Sequence, residues 1–293
     1  MSESPALTPR TILTLEVPVS KLEELAERLQ ETFEQTVIQL ERPKHERGWL
    51  EIYCEQPGEA ELLAAAVQGW PEIFATSTRS ESVRDWQTFW RHHFHVTDIG
   101  ERLRIIPVWE DAAADGRAVI HLDPGLSFGT GDHFTTRFCL EMIDRLVPRH
   151  QLDSMLDVGT GSAILAIAAR LLGASRVIGT DFDAIAIEQA RENAKLNDME
   201  DQIELVVGEA REGLPKGSFD LVCANVYTTV LLEIAPALVE ATGKFLALSG
   251  IRDPELDQVA NAYAALGLEE IFRDGNGEWG GLAFKKMKTT KTS

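Results

Sequence analysis

The first eighty residues combine short runs of alternating apolar and polar positions with one amphipathic stretch. Apolar residues recur every three to four positions from Leu22 to Phe33, which predicts a helix, and Ser20 is placed to cap it. Strands are predicted on both sides of that helix, so the order of elements is βαββαβ, that of a ferredoxin-like unit. No catalytic cluster falls in this segment, and we expect a recognition domain. The predicted strands cover 11–17, 36–40, 49–54 and 72–78, and the second helix covers 59–67.

Residues 84–94 place several aromatic side chains on one face of a predicted helix. Because the chain is acidic overall, we interpret this face as the packing surface of a connecting helix rather than a platform for stacked bases. His92, His93 and His95 lie in or beside the same stretch. Adjacent helical residues point in different directions, so no metal site is predicted there.

Beyond about Ile120, apolar runs and helical patterns alternate to the end of the chain. This alternation predicts a mostly parallel sheet with helices on its faces, which is typical of a Rossmann-like α/β domain. The runs 269–273 and 280–285 are separated by a turn-rich segment, which predicts a closing hairpin. The tail 285–293 is expected to fray. The remaining predicted strands cover 155–158, 177–181, 203–207, 221–225 and 244–249.

With 293 residues and 44% hydrophobic content, the chain is long enough for two packed domains. We predict domains at 1–80 and 101–293, joined by a linker helix at 81–100. No apolar run approaches the length of a membrane span and the N-terminus lacks a signal-peptide core, so a cytosolic protein is expected. The three cysteines are widely spaced among apolar neighbours, which predicts buried free thiols.

The formal net charge of −19 argues against a nucleic-acid partner, because such partners are bound by neutralising phosphates with Lys and Arg. The same charge would steer a basic protein towards this one. The alternative is that the acidity only maintains solubility. Net charge leaves both interpretations open.

Two glycine loops lie some thirty residues apart, which suggests that one ligand is held between them. The first is within 123–136, and the second is Gly159-Thr160-Gly161 at the start of a helical pattern. Asp181 ends the next apolar run, at about the distance expected for an acid that binds ribose hydroxyls. A Gly-x-Gly turn also serves as an ordinary strand-to-helix connection. Together with Asp181, the loop favours a nucleoside site.

The glycine loop favours S-adenosylmethionine over a dinucleotide. A dinucleotide fingerprint needs a third small residue and a helix start facing a pyrophosphate, but Ile164 occupies the third position here. S-adenosylmethionine has a ribose and an adenine and no pyrophosphate. An NAD-linked oxidoreductase is therefore the less favoured hypothesis.

Asn225 ends an apolar run, and the carboxyl ends of parallel strands are where open α/β sheets bind ligands. Its side-chain oxygen is suited to accept a hydrogen bond from an attacking amine. The alternative is an asparagine that only forms a turn. We favour the catalytic reading because position and residue type agree.

These motifs, in this order along the chain, resemble the PrmA family, whose members methylate lysine and α-amino groups of the eleventh protein of the large ribosomal subunit. The resemblance covers nearly the whole length and depends most on the Phe-Gly-Thr-Gly-x-His-x-Thr-Thr element at 128–136, which is specific to this family. The stretches that carry it are 85–94, 99–109, 123–136, 156–161, 181–183 and 224–226.

The resemblance implies a class I methyltransferase domain preceded by a linker helix and a small substrate-recognition domain, with S-adenosylmethionine as cofactor and a basic ribosomal protein as substrate. It implies that Thr136, Gly159, Asp181 and Asn225 contact the cofactor and that Phe128 lines the adenosine pocket; Gly161 completes the loop. This chain departs from the common family pattern at Asp132, Phe134, Ala163 and Val226-Tyr227.

Methyl transfer to a lysine requires a neutral amine aligned behind the activated methyl group. A lysine side chain has a reference pKa of about 10.4, so the pocket must favour loss of the proton. Asn225 is placed to orient the amine, and His133 either relays the proton or braces the start of a helix. Two alternatives remain open: a methyltransferase of the same fold with another protein or small-amine substrate, and a catalytically silent cofactor-binding protein.

Overall fold

The computed structural model describes residues 10–33, 37–40, 47–54, 56, 58–81, 94–124 and 133–287. The chain forms two compact units, Met1–His93 and Phe94–Ser293. The predicted linker helix 81–100 overlaps both units: 82–93 lies outside the described residues, while Thr97–Ile99 is a strand and not a helix.

The first unit is a four-stranded antiparallel sheet in the order β2-β3-β1-β4, which confirms the predicted ferredoxin-like arrangement. Ser20 lies inside a 3-10 turn, Val19–Lys21, so it does not occupy the predicted cap position. The last strand begins at Ala75, three residues later than predicted, because the chain first turns at 71–72. The elements are β1 (Arg10–Pro18), α1 (Leu22–Phe33), β2 (Val37–Leu40), β3 (Arg47–Cys54), α2 (Glu59–Ala66) and β4 (Ala75–Glu81).

Alternate residues of β1 form the core of this unit with one face of α1. Leu13, Leu15 and Val17 are fully buried, and Leu25 and Leu29 of the helix are each 1% exposed. The period of two in the strand and of 3.6 in the helix brings these apolar side chains onto facing surfaces. The apolar positions that predicted β1 and α1 are therefore the positions that pack in the core.

The second unit contains a seven-stranded sheet in the order β10-β9-β8-β11-β12-β14-β13, in which β14 runs opposite to the other six strands. This confirms the predicted Rossmann-like sheet and closing hairpin. Its strands are β8 (Ser154–Val158), β9 (Arg176–Asp181), β10 (Ile203–Val207), β11 (Phe219–Asn225), β12 (Thr242–Arg252), β13 (Leu268–Gly275) and β14 (Trp279–Lys286). Its helices are α3 (Phe134–His150), α4 (Ile164–Leu171), α5 (Ala184–Leu196), α6 (Thr228–Glu233), α7 (Ala235–Ala241) and α8 (Leu256–Ala265).

The central strands are buried on both faces, as a parallel sheet covered by helices requires. Leu221, Val222 and Cys223 of β11 are each fully buried. In register, Ala224 lies beside Val158 of β8, so β8 and β11 end at the same edge of the sheet. This edge receives the loops that contain the predicted site residues.

A small three-stranded sheet was not predicted from the sequence. It consists of β5 (Thr97–Ile99), β6 (Leu103–Pro107) and β7 (Ala118–Leu122), with β6 between the other two. The first strand has only three residues and is partly exposed, so it carries too little alternation to be recognised.

Among the described residues, the outer edge of β7 is met by the side chains of Asn193 in α5 and of Asn197, which caps that helix. Asn193 accepts a hydrogen bond from the Asp123 backbone N–H (3.0 Å) and donates to the Asp123 carbonyl (3.2 Å). One turn later, Asn197 accepts from the His121 backbone N–H at 2.9 Å and donates to the His121 carbonyl at 2.7 Å. The two amides therefore extend the hydrogen-bond ladder beyond the sheet.

Among the described residues, no helix combines the length and apolar character needed to span a bilayer. The described part of the chain likewise contains no group of three or more His, Cys, Asp or Glu side chains arranged to hold a metal ion. Cys54, Cys139 and Cys223 are buried free thiols, as predicted.

Asn193→Ala should lower the free energy of unfolding by about 1–3 kcal/mol, because it removes three hydrogen bonds of a buried amide, two to the Asp123 backbone and one to the Ser162 carbonyl. Urea unfolding followed by circular dichroism measures this change. Glu192→Ala, on the exposed side of the same helix, is the control and should change stability by less than about 0.5 kcal/mol. Equal stability of the two variants would contradict the role assigned to Asn193.

Candidate functional site

The glycine loop after β8 is held by the backbone of the neighbouring strand β9. The N–H groups of Gly159 and Thr160 both donate to the Thr180 carbonyl, at 2.8 and 2.9 Å. Gly159 has φ +73°, and a Cβ there would lie 2.6 Å from Cγ1 of Val226. Glycine is required because the turn is left-handed and Val226 packs directly against it.

Asp181 ends β9 beside this loop and braces it. Its Oδ2 accepts from the Gly161 N–H at 2.9 Å, and its Oδ1 accepts from the Asp183 N–H at 3.1 Å. A carboxylate offers about four acceptor positions, so both oxygens retain a lone pair for a ligand. The apolar side chains of Phe182 and Ile185, 73% and 63% exposed, follow directly.

Asp157 is a further acidic residue at this edge, and the sequence analysis did not select it. It is fully buried, and its Oδ2 accepts a hydrogen bond from Thr160 Oγ1 at 2.7 Å. Burial raises the pKa of the Asp157 carboxyl to about 7; the hydrogen bond from Thr160 opposes this shift and the charge of Asp181 adds to it. The signal in the sequence was an acid within the apolar run Leu156-Asp157-Val158, where a charge is costly.

Asn225 lies at the end of β11, and its amide orientation is fixed by α3. Its Nδ2 donates to Oγ1 of Thr136 at 3.3 Å, and Thr136 is 1% exposed. Its Oδ1 is buried and, within the described residues, has no hydrogen-bond partner. An unpaired buried acceptor is costly, which is a reason to expect that a ligand donates to it.

His133 caps the N-terminus of α3. Its Nδ1 accepts from the Thr135 N–H at 3.4 Å and lies 2.8 Å from Thr135 Oγ1. The ring also contacts Trp279 edge to face, with centroids 5.6 Å apart. Trp279 begins β14 and was not selected from the sequence, since a single tryptophan after a turn carries no functional pattern.

The predicted site residues form two groups at one edge of the sheet. Gly159, Gly161 and Asp181 form the first, and Thr136 and Asn225 form the second. Val226 connects them, because it follows Asn225 and packs on Gly159. Phe128, with the glycines of the first loop, lies outside the described residues.

Three of the departures from the family pattern are visible at this edge. Ala163 adopts a left-handed backbone, φ +64°, at the start of α4, where a glycine would be unstrained. Tyr227 is 69% exposed beyond Asn225, and Phe134 contacts the ring of Phe138. Asp132 is not among the described residues.

The lining of this edge suits a cationic nucleoside. The Asp181 carboxylate and the Asn225 oxygen, which has no partner among the described residues, are both acceptors, and Asp157 lies buried behind them in β8. A pyrophosphate would be repelled by this set, whereas a sulfonium would be stabilised. The residues present therefore fit the ribose and the sulfonium of S-adenosylmethionine.

Comparison with known proteins agrees with this assignment. The family model described as "Ribosomal protein L11 methyltransferase (PrmA)" matches residues 53–287. Proteins named ribosomal protein L11 methyltransferase from Chloroflexus aurantiacus and Geobacter sulfurreducens are 38% and 44% identical, over 81% and 76% of this chain and 82% and 73% of their own length.

One solved structure is similar to this chain over the whole length of that structure. The crystal structure described as ribosomal protein L11 methylase from Lactobacillus delbrueckii subsp. bulgaricus is 34% identical and superposes with a TM-score of 0.60. The match covers 67% of this chain and all of that one. With a family model that spans most of its length, a glycine loop braced by Asp181 and a strand-end Asn225, this chain belongs to the ribosomal protein L11 methyltransferase (PrmA) family.

Proposed function

We propose that this protein transfers methyl groups from S-adenosylmethionine to lysine side chains and α-amino groups of ribosomal protein L11. The observation that carries the proposal is the buried, unpaired Oδ1 of Asn225 beside the glycine loop. An amine nitrogen that approaches this edge would donate to that oxygen. Membership of the family and the names of its relatives support L11 as the substrate.

S-adenosylmethionine is the methyl donor, and when bound it supplies a methyl group activated by the sulfonium. Asp181 would accept hydrogen bonds from its ribose hydroxyls, because both carboxylate oxygens retain a free lone pair. Gly159 and Gly161 would let the backbone approach the ligand closely, and Thr136 would line the same side. Phe128 would complete the adenosine pocket.

On the acceptor side, Asn225 would orient the lone pair of the attacking nitrogen. The amine loses one proton before attack, and burial at the sheet edge favours its neutral form. We assign His133 the bracing role rather than that of a proton relay. Its Nδ1 lies 2.8 Å from Thr135 Oγ1 and 3.4 Å from the Thr135 nitrogen, so this ring nitrogen is engaged by the start of α3.

The acidic charge of the chain fits a basic protein substrate and disfavours direct nucleic-acid binding. We propose that the first unit, which has its own core, recognises that substrate, and that the protein acts in the cytosol. Two competing hypotheses are a methyltransferase of the same fold with another protein or small-amine substrate and a silent cofactor-binding protein.

The direct test uses radiolabelled S-adenosylmethionine with purified L11, and separately with a cell extract from which L11 is absent. Labelling of L11, mapped by mass spectrometry to amino groups, supports the proposal. Labelling in the L11-free extract alone supports another substrate. Cofactor binding without transfer in either mixture supports the silent protein.

Asp181→Ala should weaken S-adenosylmethionine binding at least about tenfold, since a hydrogen bond to a charged acceptor contributes about 1.5–3 kcal/mol. Isothermal titration calorimetry measures the affinity. Asp183→Ala is the matched control: Asp183 caps α5 by accepting from the Ile185 N–H at 2.8 Å, so its loss should cost stability but leave affinity within about threefold. Unchanged affinity in Asp181→Ala would exclude the ribose assignment.

Asn225→Ala should slow single-turnover methyl transfer about a hundredfold at saturating cofactor, because the group that orients the amine is lost. Thr136→Val keeps the oxygen of Asn225 but frees its amide to rotate, so a smaller loss is expected. Asn225→Asp should retain part of the rate with a higher pH optimum, since a carboxylate stabilises the protonated amine. A wild-type rate in Asn225→Ala would reduce Asn225 to a turn residue.

Removal of residues 1–93 should leave cofactor affinity within about threefold but abolish methylation of L11. The reason is that the selected cofactor residues all lie in the second unit, which has its own hydrophobic core. Calorimetry and the labelling assay measure the two properties on one preparation. Full activity of the shortened protein on L11 would contradict a recognition role for the first unit.

A further inference from the structure

Trp279 is anchored at the edge of the sheet from which the acceptor approaches. In register, Asn225 lies beside Ser249 of β12, and β12 continues to Arg252, which lies opposite Trp279. β12 has a bulge between Ser249 and Ile251, so this pair lies two residues of β14, about 7 Å, beyond the level of Asn225.

The backbone of Trp279 is fixed by the turn that precedes β14. Oδ1 of Asn276 accepts from the N–H groups of Glu278 and Trp279, at 3.0 and 2.8 Å. The Asn276 N–H in turn donates to the Trp279 carbonyl at 3.0 Å. These hydrogen bonds therefore fix the backbone position from which the Trp279 side chain projects.

Two side chains clamp the indole. The guanidinium carbon of Arg252 is 4.8 Å from the ring centroid, within the range of a cation–π contact. The imidazole of His133 meets the indole at 69°, with centroids 5.6 Å apart. Both contacts require an aromatic ring at position 279, because a cation–π contact and an edge-to-face pair each use its π system.

These contacts connect Trp279 to Asn225 through the first turn of α3. His133 caps that turn by accepting from the Thr135 N–H, and the next residue, Thr136, accepts from Nδ2 of Asn225. Movement of His133 would loosen the cap and release Thr136. The Asn225 amide would then be free to rotate, which would turn its unpaired oxygen away from the acceptor.

We propose that Trp279 is a positioning residue for methyl transfer: clamped by Arg252, it holds His133 and, through Thr136, sets the orientation of the Asn225 amide. This inference rests on the proposed function of Asn225. In this role, Trp279 contacts neither the substrate nor the cofactor.

The hairpin supplies a matched control. Phe272 of β13 also contacts α3, but it stacks on Phe138, with centroids 6.0 Å apart, one turn beyond the cap. Phe272→Leu therefore removes an aromatic contact between the same hairpin and the same helix without touching His133. Trp279→Phe retains an aromatic ring and serves as the conservative variant.

The experiment measures single-turnover methyl transfer to L11 at saturating cofactor, with cofactor affinity determined by calorimetry. Trp279→Leu should transfer about tenfold to a hundredfold more slowly with affinity within twofold, because a misplaced group far from the reacting atoms is sufficient for such a loss. Trp279→Phe should recover part of the rate, and Phe272→Leu should stay within about twofold of wild type. Equal rates in Trp279→Leu and wild type, or an equal loss in Phe272→Leu, would overturn the proposal.

A double-mutant cycle tests the path through His133. Trp279→Leu combined with His133→Ala should be no slower than the slower single variant, whereas multiplied losses would show that Trp279 acts by another route. If Trp279→Leu does not fold, Arg252→Gln, which keeps the indole and removes its cation, is measured in the same way. A several-fold slower transfer is expected, and an unchanged rate would refute the clamp.

An NMR measurement separates this inference from the proposed function. The side-chain amide signals of Asn225, assigned with Asn225→Ala, should move towards those of a free asparagine in the Trp279 or Arg252 variant. Unmoved signals would refute the positioning role whatever the protein methylates. Absence of methyl transfer to L11 by the wild type would refute the proposed function, while the NMR result would still decide this inference.

Discussion

The side-chain amide of Asn193 holds together the two segments on which the ligand site depends. Fully buried in α5, it exchanges hydrogen bonds with both backbone groups of Asp123 and donates to the Ser162 carbonyl at 3.0 Å. Asp123 leads into the first glycine segment and Ser162 follows the second. One buried amide therefore ties Asp123 to Ser162, and its bond to the Ser162 carbonyl is itself buried.

Once the loops are fixed, the electrostatics of the site follow from two carboxyl groups at one sheet edge. Asp157 is fully buried, which raises its pKa to about 7, and its ionisation destabilises the folded chain as the pH rises from about 4 through 7. Asp181 instead has two backbone N–H partners. A positive charge near this edge would offset the repulsion between the two groups.

Close packing around Val226 shows how the two halves of the site are kept in register. Gly159 touches its side chain, and a Cβ on Gly250, which has φ +81°, would lie 2.4 Å from its carbonyl oxygen. Neither glycine tolerates a side chain. Ala163, by contrast, keeps its Cβ in a left-handed conformation, which costs roughly 1–2 kcal/mol and shows that the start of α4 can absorb strain that the Gly159 turn cannot.

The sequence by itself determined the βαββαβ unit, the parallel sheet with its hairpin, the glycine loop and the strand-end positions of Asp181 and Asn225, because apolar periodicity and strand ends are local properties of the chain. Only the tertiary structure revealed the sheet β5–β7, the pairing of Asn193 with Asp123 seventy positions earlier, the buried state of Asp157 and the contact of Trp279 with His133. These features depend on which distant residues meet and on how much water is excluded where they do. Neither the contacts between distant residues nor the exclusion of water can be derived from the spacing of residues along the chain.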